Sequence, residues 1–150
     1  MGVDRTFIVR NDTERARLRV LVARLSDADL ARAMPGGWTV AGVLAHVAFW
    51  DQRVLVLLER WEQSRSAVPP PANQADVDWI NDAAKPLLLA LAPRQAADLA
   101  VAIAEEVDRK VAALADDVLA QNAAAGSPLS PDRAVHRREH LREIEQVFGS

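Results

Sequence analysis

Residues 39–61 read TVAGVLAHVAFWDQRVLVLLERW. Val40, Val43, Leu44, Val47, Val54, Leu58 and Trp61 recur at spacings of three, four and seven, so one face of a long helix is apolar. Thr39 stands where its hydroxyl can cap the first turn, and the pattern runs to about Arg65. A helix with such a face needs other elements to cover it. His46 interrupts the run beside Val43 and Val47. Burying an imidazole there without a partner is costly.

Further helical patterns lie on either side. NDTE at 11–14 is an N-terminal capping signal, followed by Leu18, Leu21, Val22 and Leu25 at helical spacing. SDAD at 26–29 starts a short extra turn ending near Met34, and Pro35, Gly36 and Gly37 form a loop. Downstream, SAVPPPA at 66–72 is a stiff linker, long enough to cross a bundle rather than close a tight hairpin. Asp76 or Asp78 caps a third element carrying Trp79 and Ile80, which Pro86 and Pro93 are expected to divide or kink. From Pro93 onward, Leu99, Ile103, Val107, Val111, Leu114 and Val118 form one stripe with near-heptad spacing. The last helix opens with Ser130 as cap and Pro131 at its first position. Its stripe is His136, His140, Ile144 and Val147, flanked by Leu141 and Phe148. No strand is expected. These patterns fit one all-α domain over residues 1–150, a four-helix bundle.

Composition narrows the function. Half the residues are apolar, which is enough for a sizeable core, and the net charge of −3 gives no general pull toward nucleic acid or membrane. There is no cysteine, so the chain has no disulfide, thiolate ligand or cysteine nucleophile, and thiol chemistry would need a thiol from outside. No apolar signal segment opens the sequence, and no run approaches the roughly 20 apolar residues of a spanning helix. A cytoplasmic protein with a small-molecule substrate is expected. A homodimer is also expected, since bundles of this size often pair through exposed helix faces.

The three histidines carry the chemistry. His136 and His140 are four residues apart, hence on one helix face, and a facing helix can bring His46 to them. Neutral imidazole suits zinc, nickel, iron and copper, and three such ligands leave a coordination position open. Alternatively, two exposed histidines can ride on a charged helix, with Arg137, Arg138 and Glu139 between them as a solvated face. Asp132 and Glu143 lie near the angle of His136 and can orient a ring or act as a base. A helix-terminus carboxylate and a salt-bridge partner are the preferred plainer readings of the two. Asp51 points away from the face of His46, which argues against a ligand role. Arg53, two turns on from His46, is either an anchor for a substrate carboxylate or a surface arginine. Asn81 faces the site or caps a kink. Trp50, with Trp38, Trp61 and Trp79, is core or pocket lining.

The stretches GGWTVAGVLAHVAFWD (36–51), DVDWIND (76–82) and HRREHLREIE (136–145) resemble the DinB-like (DinB/YfiT-like) superfamily. That superfamily is related to the N-terminal domains of mycothiol-dependent maleylpyruvate isomerases. The resemblance covers most of the chain. It implies up-down-down-up connectivity, which suits the long proline-rich crossover. It also implies a divalent metal, usually zinc or nickel, on the family's three histidines, here His46, His136 and His140. Members include metal-dependent transferases and isomerases that use low-molecular-weight thiols such as mycothiol, bacillithiol or glutathione. The 76–82 segment is also similar to a bundle group that protects cells against toxic small molecules.

Three functions stand open from the sequence. One is a divalent-metal-dependent enzyme acting on a small molecule, as a thiol-dependent S-transferase or as a hydrolase. Another is a non-enzymatic protein that sequesters a metal or a small toxic ligand. The third is a helical interaction domain with incidental histidines.

Overall fold

Helix α1 spans Phe7–Arg24 and α2 Asp27–Leu30; then come β1 (Ala33–Met34) and β2 (Trp38–Thr39), then α3 (Val40–Ser64), α4 (Gln74–Leu89), α5 (Pro93–Ala112), α6 (Asp116–Ala124) and α7 (Ala134–Val147). The structure is a computed structural model and describes residues 2–64 and 73–149. The proline-rich stretch at 66–72 therefore lies outside the described residues. The bundle proper is α1, α3, α5 and α7. Helix α3 packs on α5 and α7, and α1 packs on the same two from the other side.

Side-chain ties between helices fix the directions. Arg5, just before α1, bonds the carbonyls of Ala112 and Leu114 at the end of α5. At the other end, Arg94 in the first turn of α5 bonds the carbonyls of Val22 and Leu25. So α1 and α5 run antiparallel. Asn11 bonds the backbone at Pro131 and Arg133, and Arg17 pairs with Glu145, so α1 and α7 run parallel. His46 lies level with His136, and Asp51 further down α3 lies level with Arg133, so α3 opposes α7. The connectivity is up-down-down-up. Two neighbouring helices can run the same way because α4 carries the chain back along α3 between them.

Among the described residues the core has two apolar clusters. One joins Leu18 and Leu21 to Val40, Leu44, Ala97, Ala100, Leu141 and Ile144. The other joins Phe7 to Val54, Leu58, Trp61, Val107, Val111 and Leu129. Helix α3 supplies both. By length and hydropathy it could cross a membrane, but most of its apolar stretch is buried inside the bundle. Counting uninterrupted apolar runs missed this because His46, Asp51, Gln52 and Arg53 break the run.

Several local expectations need correction. Helix α1 begins at Phe7, and Asn11 is buried within it, bonding the start of α7 rather than capping its own helix. A two-residue hairpin stands where no strand was expected. It pairs Ala33 with Thr39 and Met34 with Trp38 around Gly36 and Gly37, whose φ values of +74° and +76° favour glycine. Asn73, not Asp76 or Asp78, caps α4 by accepting from the Asp76 N–H. Pro86 sits inside α4 without ending it, while Pro93 opens α5. Leu99 is partly exposed, since Ala96, Ala97, Ala100 and Ala104 form the buried stripe that lets α5 approach α3. Val118 belongs to α6. Helix α7 begins at Ala134, its first turn tied by the Asp132 carboxylate to the Ala134 N–H and by Asn11 to the Arg133 N–H. Ser130 and Pro131 precede it. The expected Thr39 cap is present, its Oγ1 accepting from the Gly42 N–H, and the turn at 26–29 is held by a capping box of Ser26 and Asp29.

Candidate metal centre

The first two turns of α3 and of α7 bring the three histidines together. His46 Nε2 lies 3.2 Å from His136 Nε2, and His140 Nε2 lies 3.1 Å from the same atom. All three ligand atoms fall within 4.8 Å of one another. His46 is 9% exposed. Trp38, projected by β2, sets its ring edge against His46 with the centroids 5.7 Å apart.

Protein hydrogen bonding alone leaves this cluster poorly served. Glu143 Oε2 accepts from His140 Nδ1 at 3.0 Å, which turns the His140 Nε2 lone pair inward. His136 Nε2 then faces two other ring nitrogens, and a single N–H or lone pair cannot serve both. The Nδ1 atoms of His46 and His136 are buried without a hydrogen-bond partner among the described residues. A shared cation resolves the Nε2 conflict, because all three Nε2 lone pairs can then point inward together, with the protons on the Nδ1 atoms. Nitrogens bound about 2.0–2.1 Å from one ion stand about 2.8–3.4 Å apart for angles between octahedral and tetrahedral. The two measured separations fall in that range, so the donor set fits a divalent ion of the zinc and nickel kind.

Electrostatics also favour neutral, ligand-ready rings. Burial, followed by the charge of His140, pushes His46 down to about 4. Burial pushes His136 down to about 2, helped by His140, His46 and the guanidinium groups of Arg133 and Arg137. Both rings therefore stay unprotonated at neutral pH.

The cluster forms part of the wall of a cavity of about 510 Å³ between α3, α4 and α7. Trp38 and Val43 supply apolar wall; Asp78, Asn81, Asp82 and Lys85 of α4 supply the polar side, and Glu143 lies beside His140. Lys85 reaches across to the Gly36 carbonyl and lies over the Trp38 ring, so α4 is tied to the hairpin. Gly42 lets the two helices come this close. A Cβ there would stand 2.6 Å from Leu89 and 3.1 Å from the Thr39 hydroxyl. A larger cavity, about 700 Å³, lies near Trp61 and Leu114, but none of the three histidines borders it.

The structure sorts the candidate residues. It brings His46, His136 and His140 together, places Asn81 in the cavity wall, and puts Glu143 on His140 as an orienting partner. Trp50 stands one layer back, donating from Nε1 to Asn81 Oδ1 at 2.8 Å and so holding that amide. Arg53 stacks over the Trp50 ring, and burial with the charge of Arg133 lowers its pKa. It does not line the histidine cavity. Asp132 is not at the site. It pairs with Arg10 at 2.9 Å, ties the start of α7, and borders a different cavity, so its helix-terminus reading is the one that fits.

Sequence reading missed two groups. One is Asp78, Asp82 and Lys85, the neighbours of the candidate Asn81; with it they are spaced three, four and seven apart, a polar stripe at helical period that marks the cavity side of α4. Arg137, expected on a solvated face, is fully buried. It meets Asp51 and Asp108, which are also buried, and the sign of this was charge standing inside the apolar stripes of α3 and α5.

Comparison with known proteins agrees with this architecture. No curated protein and no solved structure matches the chain significantly. The family pattern described as the DinB superfamily matches residues 10–144, a span that contains all three histidines and all four helices of the bundle apart from the ends of α1 and α7. The chain therefore belongs to the DinB superfamily.

Proposed function

We propose that this protein is a metal-dependent enzyme acting on a small molecule, with His46, His136 and His140 as the ligands of one zinc or nickel ion. The observation that carries this reading is the convergence of three Nε2 atoms, two of the contacts at 3.1–3.2 Å, with His46 and His140 on the wall of a cavity. Three protein ligands leave room for an exogenous one, as catalytic sites do. A volume of about 510 Å³ lies within the usual range for small-molecule sites.

The ion would supply Lewis acidity, lowering the pKa of a thiol or water brought to its open side. The chain's own residues hold and shape the site. Glu143 fixes the tautomer and tilt of His140. Trp38 shields His46 from water on one side. Trp50 anchors the Asn81 amide, which offers a donor and an acceptor to a ligand across the cavity. We favour a low-molecular-weight thiol such as mycothiol as the nucleophile in a transferase reaction, since a chain without cysteine must take its thiol from outside.

Elemental analysis of tag-free protein tests the centre. It should find about one equivalent of zinc or nickel, with His136→Ala losing most of it. Cobalt-substituted protein titrated with small thiols should gain a sulfur-to-cobalt charge-transfer band. An ion retained in full by His136→Ala contradicts the ligand set. A cobalt form indifferent to every thiol, yet active on an ester or amide, replaces the transferase reading with a hydrolase one.

A further inference from the structure

One turn along from the histidines, the bundle holds a layer of charge that the metal chemistry does not use. Arg137 is 0% exposed. Its Nη1 and Nη2 each lie 2.7 Å from one oxygen of Asp108 on α5, a two-pronged fork. Its Nε and Nη2 also reach Asp51 Oδ2 on α3, at 3.3 and 3.1 Å. Asp51 Oδ1 accepts from Arg133 Nε at 2.8 Å, and Asp108 Oδ2 accepts from Arg15 Nη1 on α1 at 2.7 Å. All four bundle helices thus meet in one network.

Such a layer is a poor way to gain stability. Buried ion pairs often do no better than well-packed apolar side chains of the same volume. What the network does supply is direction. A planar guanidinium that must satisfy a fork on α5 and a carboxylate on α3 tolerates little rotation of its own helix. That helix carries two of the three candidate ligands, and Arg137 directly follows His136 in the chain. Asp51 follows His46 by five residues on the helix that carries the third. With side chains, an α-helix has a radius of about 5–6 Å, so a turn of about 20° about its axis would move an imidazole by about 2 Å. Metal sites need placement within about 0.5 Å.

We infer that Arg137, with Asp51 and Asp108, is a positioning device for the metal centre: it sets the rotation of α7 against α3 and α5 so that His136 and His140 meet His46. Arg137 touches none of the reacting atoms in this account and acts through the ligands. The inference rests on the metal reading above.

Two readouts test it. Arg137→Lys keeps the charge and loses the fork; Leu58→Ala, in the distal apolar cluster, serves as a control for general destabilisation. Zinc affinity is measured by competition with a chromogenic chelator, and the cobalt forms are compared by visible absorption. Arg137→Lys should remain helical, bind zinc at least about tenfold more weakly, and show an altered cobalt spectrum. Leu58→Ala, with an equal or larger fall in Tm, should stay within about twofold of the wild type. If Arg137→Lys fails to fold, Asp108→Asn takes its place with the same expectations. Wild-type affinity and spectrum in the network variant overturn the inference, as does equal weakening in Leu58→Ala. A wild-type protein that binds no zinc or cobalt overturns the metal reading itself, and with it this inference.

Discussion

Two buried polar clusters lie side by side between α3 and α7, and they are satisfied in opposite ways. In the Arg137 network each guanidinium meets a carboxylate, and each carboxylate meets two guanidinium groups. The histidine cluster next to it turns like Nε2 atoms toward one another, and the Nδ1 atoms of His46 and His136 are buried without a protein partner among the described residues. Arg137, Asp51 and Asp108 are sealed within the bundle, with Arg15 at the rim of the network; His46 and His140 border a cavity. A network in which every buried charge has an opposite partner is complete as a piece of protein. Convergent imidazoles beside a cavity are a donor set. The contrast separates a structural polar layer from a binding one more clearly than burial does, because both are buried.

The largest expected effect comes from opening the closed cluster. Arg137→Met leaves Asp51 and Asp108 short of a buried partner, and removing one side of a buried pair costs about 3–5 kcal/mol. Urea unfolding followed by circular dichroism measures it; a loss below about 1 kcal/mol would mean that the network is not closed as described.

Acid should act on the other cluster first. In ion-free protein the folded His46 and His136 stay neutral well below 6.5, whereas the unfolded rings take up protons there. The unfolded state then binds more protons, so stability falls as pH drops below about 6.5 and continues to fall toward the folded values. At 1.36 kcal/mol per unit, the loss at pH 5 is on the order of 2 kcal/mol for each ring. Unfolding at pH 7.5 and pH 5, repeated with His46→Gln, reads this directly. The substitution should remove part of the pH dependence, and an unchanged profile would contradict the burial argument.

A smaller effect is expected at the edge of the donor set. Glu143→Gln keeps a hydrogen-bond acceptor for His140 and removes the charge. Partners of ligating histidines typically contribute tenfold or more to metal affinity, so the loss should be at least about 1.4 kcal/mol in binding. Stability of the ion-free protein should hardly change, since Glu143 is half exposed. Calorimetric titration with zinc measures both the affinity and the stoichiometry.

Much of this arrangement is legible in the sequence because helical periodicity is a local property. The stripe of α3 reports a buried helix, and His46 is conspicuous within it. The spacing of His136 and His140 puts two ligands on one face. What the sequence hides depends on partners distant in the chain. Arg137 looks solvated between Arg138 and Glu139 until Asp51 and Asp108 are placed around it. Asn11 reads as a cap because asparagine often is one, yet its amide serves a helix 120 residues away. Asp132 and Glu143 share a similar angle with His136 on paper. Only the axial position of the cavity, set by α4, separates the carboxylate that reaches a ring from the one that pairs with Arg10.

The most direct test of the account is X-ray absorption at the metal edge of zinc-loaded, tag-free protein, compared with the His46→Ala variant. The account predicts three imidazole nitrogens around a single zinc in the wild type and the loss of one imidazole, or of the ion, in the variant. A zinc shell without imidazole scattering, or one unchanged by the substitution, would contradict it.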